Sequence, residues 1–354
     1  MVTATVFDAS EALLDQVRQA LGNGTPLRIQ GSNSKAFLGR DSAGEIIDTR
    51  VHRGIVSYDP TELVVSVRTG TPLAELQAVL DAAGQMLACE PPSFGAGATL
   101  GGMLASGLSG PRRPWAGAVR DFVLGTRIIS GTGQHLRFGG EVMKNVAGYD
   151  LSRLMAGSFG CLGLVTEVSL KVLPKPRQCL GLSLEMPAER ALARLAEWGQ
   201  QPLPISAACH DGRHLHLRLE GGEGSVAAAH DRLGGEPLDD VYWTRLNEQQ
   251  LAFFDPGLPL WRLSVPHNTP ALELPGEQLL DWGGAQRWLR SDAPAERIRG
   301  VVGAVGGHAS CYSHGLLDSP FQPLAPTLLH YHQRLKAQLD PQGIFNPGRL
   351  YAEF

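Results

Sequence analysis

Two loops and a few cations carry the residue types that could do chemistry. In Arg28-Ile29-Gln30-Gly31-Ser32-Asn33-Ser34-Lys35 an apolar strand empties into a turn of small polar residues. Successive backbone N–H groups in such a turn form a nest that holds an anion, and Ser and Asn side chains add donors. An ordinary polar turn has the same composition, so this segment alone leaves both readings open. The second loop, residues 91–107, contains Pro91, Pro92, Ser93, Gly95, Gly97, Thr99, Gly101, Gly102, Ala105 and Gly107. Glycines there let backbone lie against a flat aromatic ring while free amides meet its polar edge. A glycine-rich packing loop is the competing reading. Two such loops on one sheet domain weigh towards a dinucleotide. The familiar phosphate motifs are missing: no G-x-G-x-x-G opens a helix, and no G-x-x-x-x-G-K-[ST] occurs.

The histidines and cysteines promise less. His214-Leu215-His216 sets two imidazoles on one face of a strand, a pair that could hold a metal. No third ligand accompanies them, so no metal is expected and a solvated strand face is the better reading. His308 and His314 have no evident role. Cys89, Cys161, Cys179, Cys209 and Cys311 form no C-x-x-C pair, which argues against thiolate-bound iron–sulfur or zinc within this chain. An odd, scattered set suits free buried thiols in a reducing compartment.

These residues need elements to hold them. With 354 residues, 43% hydrophobic and 19% charged, the chain is long enough for two or three globular units. A formal net charge of −4 leaves no basic footprint for nucleic acid. No apolar run approaches the ~20 residues that span a bilayer, and the first residues lack a secretory pattern. A cytoplasmic address is expected, with peripheral attachment to the inner face of the cell membrane through partners. Sixteen of the 43 glycines fall between Gly95 and Gly163, in a stretch too rich in Leu, Val and Met to be a linker. A helix is expected over 11–21 with Gly22 as its stop, and strands over 27–30, 45–49, 54–58 and 63–67. Thr71 reads as an N-cap with Pro72 in the first helical position and Gly84 past the end. Leu73, Leu76 and Leu80 line one face of that helix. Strands over 122–129 and 162–173 follow, and Pro174 and Pro176 close the domain. The composition then shifts: strands over 180–184, 204–209 and 214–219 with helices over 187–198 and 226–233 make a second α+β domain. The tail carries a helix over 326–339. The expected organisation is 1–176, 177–316 and a segment 317–354 that returns to the first domain.

The order of motifs resembles a known superfamily. Thr99-Leu100-Gly101-Gly102, then Gly117-x-x-Arg120-Asp121-x-Val123-Leu124-Gly125, then Gly157-Ser158-Phe159-Gly160-Cys161-Leu162-Gly163, follow the first polar turn. Together they look like the vanillyl-alcohol-oxidase (PCMH-type) FAD domain, and the closing Gly343-Ile344-Phe345-Asn346-Pro347-Gly348 is typical of it. Val142-Met143-Lys144-Asn145-Val146-Ala147-Gly148-Tyr149-Asp150 is sharper and resembles the FAD-subunit family of bacterial glycolate oxidases. The resemblance covers essentially the whole chain, with specific motifs over 91–173 and 343–348. It implies an α+β fold: a two-lobed FAD-binding domain with a smaller second domain. It places Gln30, Gly31, Ser32, Asn33 and Ser34 at the pyrophosphate. Pro92, Thr99, Gly101, Gly102, Ala105 and Gly107 fall at the pyrophosphate and flavin ring. Gly157, Gly160, Gly163 and Val165 lie towards the ring and adenine, and Asn346 returns from the tail. Many relatives tether FAD to a His in the first loop; Ser34 and Lys35 stand there, so the FAD is expected to be non-covalent.

FAD carries the redox chemistry, leaving the protein to orient substrate and accept a proton. A small 2-hydroxy acid such as glycolate needs a cation for its carboxylate, and Arg112, Arg113, Lys144 and Arg153 are the candidates, arginine being the better clamp. Pairing with the FAD phosphates, or with Asp121 and Asp150, is the alternative for any one of them. The implied assembly contains a second FAD subunit and an iron–sulfur subunit. Two other readings compete: a self-sufficient FAD oxidoreductase, and a flavin-binding scaffold. Related hydroxyacid dehydrogenases carry a His-rich metal motif in their second domain, of which Asp211-Gly212-Arg213-His214-Leu215-His216 is only a distant echo; that argues against the first, and the full set of FAD loops against the second.

Overall fold

The computed structural model describes residues 7–140 and 150–354. The chain forms two compact units: Met1–Ser109 with Gly117–Pro174 and Pro323–Phe354, and Gly110–Ala116 with Lys175–Gln322. Gly110–Ala116 belongs to the second unit although it sits in the middle of the first in sequence.

In the first unit, helix Ser10–Asn23 buries Leu13, Leu14, Val17 and Ala20. It runs past the expected stop at Gly22, because Gly24 is the residue that adopts the left-handed conformation (φ 64°) and returns its N–H to the Ala20 carbonyl. That face packs on a two-stranded parallel sheet, Leu27–Gln30 with Glu45–Asp48, and on Ile344 and Phe345 of the tail. The tail binds as a strand would: Leu27 N–H donates to the Ile344 carbonyl at 2.7 Å, and Asn346 N–H to the Leu27 carbonyl at 2.9 Å. A five-stranded antiparallel sheet follows, in the order Ile55–Asp59, Val64–Arg68, Leu164–Lys171, Val123–Ile129, His135–Gly139. The second helix is Leu73–Ala82, and Pro72, not Thr71, is its N-cap. Thr71 has other work, because its hydroxyl accepts the Gly54 N–H at 2.8 Å.

The tail is fastened by one buried ion pair. Lys336 Nζ donates to Asp340 Oδ2 (2.7 Å) and to the carbonyls of Cys161 (2.7 Å) and Phe345 (2.8 Å), which uses all three protons. Asp340 in turn accepts the N–H groups of Ile344 and Phe345. A pair this well satisfied can be buried without an orphaned charge.

The second unit is an eight-stranded antiparallel sheet in the order Glu236–Leu238, Gln178–Glu185, His214–Gly221, Ile205–His210, Glu277–Asp281, Gln286–Arg290, Leu260–Ser264, His308–Cys311. Leu215, Leu217 and Leu219 pack under helices Ala188–Trp198 and Glu223–Leu233. Trp261, Leu263 and Leu289 pack under Ala295–Ala304. Side chains alternate across a strand, so His214, His216, Arg218, Glu220 and Arg262 lie on the opposite face. That face is not solvated, as the histidine pair had suggested: His216 and Arg218 are each 6% exposed.

Candidate functional site

Two adjoining clefts open to solvent in the first unit. They share Ile29, Gln30, Gly31, Gly102, Ala105, Phe159 and Asn346. The strand Leu27–Gln30 delivers its turn to the larger cleft, where Ser32, Asn33 and Ser34 line the wall. The backbone N–H groups of these three residues find no acceptor among the described residues. Asn33 sits at φ 60°, a left-handed conformation that turns consecutive amides to one side. Arg28, Lys35 and Arg349 add positive charge to this cleft against one carboxylate, Asp41. An open amide nest among cations is the chemistry a pyrophosphate requires.

The opposite wall is helix Leu100–Ser106. Thr99 caps it, its hydroxyl accepting the Gly102 N–H at 3.2 Å, and Gly107 ends it in the left-handed conformation. The loop after Met155 is tied to this helix, with Gly157 N–H on the Leu104 carbonyl and Phe159 N–H on the Ala105 carbonyl, both at 2.9 Å. Asn346 closes the ring of contacts. Its Oδ1 accepts the Ile29 N–H at 2.7 Å and its Nδ2 donates to the Phe159 carbonyl at 2.6 Å. Asn346 (φ 41°), Phe159 (φ 51°) and Phe94 (φ 51°) are also held in left-handed conformations. Such strain gathers where surrounding structure over-determines a binding site. The first two loops meet directly, since Ser34 Oγ (2.8 Å) and Lys35 Nζ (3.1 Å) both donate to the Ser93 carbonyl.

Of the residues expected at a cofactor, Gln30, Gly31, Ser32, Asn33, Ser34, Thr99, Gly102, Ala105 and Asn346 line the larger cleft. Gly101, Gly160, Gly163 and Val165 line the smaller. Pro92, Gly107 and Gly157 line neither; Gly107 and Gly157 instead pack on each other, a Cβ at Gly107 lying 3.0 Å from the Gly157 nitrogen. Sequence reasoning missed Asp41, Ser42, Phe159, Thr69 and Arg349. Arg349 directly follows the Asn346-Pro347-Gly348 motif and was legible from it.

The cations expected at a substrate carboxylate fare differently. Arg112 makes a two-pronged ion pair with Glu220, at 2.5 and 2.9 Å, with both side chains about one-tenth exposed. Its charge is therefore matched by a carboxylate of its own chain. Arg113 stacks on Trp282 at 4.3 Å. Arg153 pairs with Asp150 at 3.1 Å on the surface. Lys144 lies outside the described residues, as does the motif around it up to Tyr149. Among the histidines, His216 Nε2 meets Asp211 Oδ2 at 2.9 Å, and its ring lies 4.4 Å from Tyr242. Among the described residues no group of three ligands could hold a metal. Burial pushes the Cys89 thiol up to about 12 and Cys161 up to about 11, so neither is a ready nucleophile.

A family model described as an FAD binding domain matches residues 6–139. The chain is 61% identical over 346 residues to the glycolate oxidase subunit GlcE of Escherichia coli (strain K12), covering 98% of each. It is 32% identical over 176 residues to a D-lactate dehydrogenase of Anaerostipes hadrus, covering 49% of this chain and 37% of that one. To the glycolate oxidase subunit GlcD of Bacillus subtilis (strain 168) it is 35% identical over 122 residues, 34% of this chain and 26% of the other. Among solved structures, alkyldihydroxyacetonephosphate synthase superposes with a TM-score of 0.67 at 16% identity, over 96% of this chain and 74% of that chain. That likeness establishes a shared fold.

Proposed function

The chain belongs to the GlcE family of glycolate oxidase subunits, and from that premise we propose that it is the FAD-binding subunit of a complex that oxidises glycolate to glyoxylate. The observation that carries this reading is the amide nest of Ser32, Asn33 and Ser34, which shares the larger cleft with Gly102 and Ala105. Bound there, FAD supplies the two-electron oxidising group for a 2-hydroxy acid. The chain's own residues do the holding. The nest amides with Arg28 and Arg349 take the pyrophosphate, Gly102 keeps the facing wall low, and Asn346 fixes the strand, the loop after Met155 and the tail in one geometry. FAD is held without a covalent bond, because the first loop offers Ser34 and Lys35 and the nearby thiols are buried.

The partners in this reading are a second FAD subunit and an iron–sulfur subunit, since no cysteine pair in this chain can carry electrons onward. The subunit designation of the GlcE and GlcD relatives supports a multi-subunit assembly. Among the described residues no helix is long and apolar enough to cross a membrane; in this reading, any contact with the inner membrane face runs through those partners. The test is copurification of the native protein with its partners, followed by single-turnover bleaching of the flavin with glycolate and D-lactate. Bleaching by glycolate that requires this chain's cofactor loops is the expected result. Full activity of a complex whose loops no longer bind FAD would leave this chain a scaffold.

A further inference from the structure

The buried arginines of the second unit, and half-buried Arg299, are committed to partners. Arg112 and Arg218 share Glu220. Arg287 gives its N–H groups to the carbonyls of Gly284, Pro270 and Thr269. Arg290 bonds the carbonyls of Phe253 and Leu258, and Arg299 bonds those of Ser319 and Phe321. Arg262 is different. It stands half-buried on the polar face of strand Leu260–Ser264 and has no carboxylate partner among the described residues.

Its guanidinium is nevertheless held in place. Nε donates to Gln286 Oε1 at 2.5 Å, and Gln286 is itself oriented by donating its Nε2 to Asp281 Oδ2 at 3.0 Å. The group lies 4.9 Å from the centre of the Trp282 ring, and NH1 reaches Tyr312 Oη at 3.5 Å. Trp282 is fixed too, by Nε1 donating to the Gly110 carbonyl at 3.0 Å and by a left-handed backbone (φ 53°). Arg262 pairs in register with Trp288, whose ring meets Tyr312 edge-on at 5.0 Å. A cation oriented by a buried amide, walled by aromatic rings and lacking a counter-charge is the arrangement that recognises a carboxylate with two parallel N–H donors.

We propose that Arg262, with Tyr312, forms a binding site for the carboxylate of a small 2-hydroxy acid. The assignment of the ligand class rests on the functional reading above; the site itself rests on the unpaired, pre-oriented guanidinium. It also explains why Arg112 need not serve, because its charge is already matched.

The test uses the full FAD-loaded chain, titrated calorimetrically with glycolate and with oxalate. Wild type should bind both saturably. Arg262→Met should weaken binding by on the order of tenfold to a hundredfold, the loss expected for charge-assisted bonds. Arg262→Lys should fall between, since an ammonium cannot both reach Gln286 and present two parallel donors. Tyr312→Phe should lose less. FAD content and circular dichroism should not change. In the assembled complex the same variants should raise KM for glycolate more than they lower kcat. No binding by wild type, or equal binding by wild type and Arg262→Met, would overturn the proposal. Should Arg262→Met fail to fold, unchanged binding by both Arg262→Lys and Tyr312→Phe overturns it equally. A complex that does not oxidise glycolate would sink the functional reading, while calorimetry still decides on Arg262.

Discussion

Asn346 gives the most searching test of the cofactor cleft, because one side chain joins three segments distant in sequence. It is 5% exposed and lines both clefts. Replacing it with alanine removes the acceptor of the Ile29 N–H and the donor to the Phe159 carbonyl, bonds of 2.7 and 2.6 Å. A buried polar group left unsatisfied costs about 1–3 kcal/mol, so two cost about 2–6, less whatever water recovers through the open cleft. Alanine must also adopt the φ of 41°, which asparagine tolerates better, adding about 1 kcal/mol. Asn346→Gly removes the side chain but not the backbone freedom, so it should be the milder variant by about that amount. Urea unfolding of the apo-protein and fluorescence titration with FAD measure the two consequences. We expect a loss of about 3 kcal/mol in stability for alanine, and at least tenfold weaker FAD binding in both variants. If Asn346→Gly matches wild type in stability and in FAD affinity, the side-chain bonds contribute nothing and the account of the cleft is wrong.

Three further results are expected. Lys336→Met should destabilise the first unit by about 3–5 kcal/mol, because it leaves the buried Asp340 carboxylate without its cation; denaturant midpoints measure it. His52 is 1% exposed, accepts the Ala9 N–H at Nδ1, and is pushed by burial from 6.5 down to about 4. Its folded value lies below the unfolded one, so the stability it contributes is complete above pH 6.5 and falls as pH drops towards 4. Fully protonated it costs about 3 kcal/mol, and His52→Gln should flatten that part of a stability–pH profile. Acid precipitation should leave the yellow cofactor in the supernatant, and colour in the pellet would show a covalent bond.

Much of the first unit was legible because its signals are local. The strand-to-turn transition at Gln30, the glycines near residue 100 and the tail motif each mark a backbone conformation through residue type. The errors came where a partner lies far along the chain. Thr71 has the composition of an N-cap, but Gly54 takes its hydroxyl. Arg112 reads as an available cation until Glu220, 108 residues later, is brought against it. His214 and His216 alternate with leucines as a solvated strand would, yet Tyr242 packs on the His216 ring. Leu260–Ser264 alternates in burial, Trp261 and Leu263 inward, and could have been read as a strand. Gln286–Arg290 could not: it is buried on both faces, and its two arginines are satisfied by carbonyls that only the tertiary fold supplies.

The glycines show why a cofactor loop and a packing loop are not true alternatives. A side chain at Gly31 would collide with the Thr99 hydroxyl; at Gly101 a Cβ would lie 3.0 Å from Thr69, and at Gly160 it would lie 2.7 Å from the Asn346 amide. These residues are small because protein meets protein there, and their contacts draw the polar turn, the helix Leu100–Ser106 and the loop after Met155 together. Gly102 differs: its nearest neighbour is Thr99 Oγ1 at an ordinary 3.5 Å, and its open side faces both clefts. A ligand wall needs backbone brought close and then left bare. Most of these glycines bring the segments close, and Gly102 is where the wall stays bare, so packing and binding are successive requirements met by neighbouring residues of one loop.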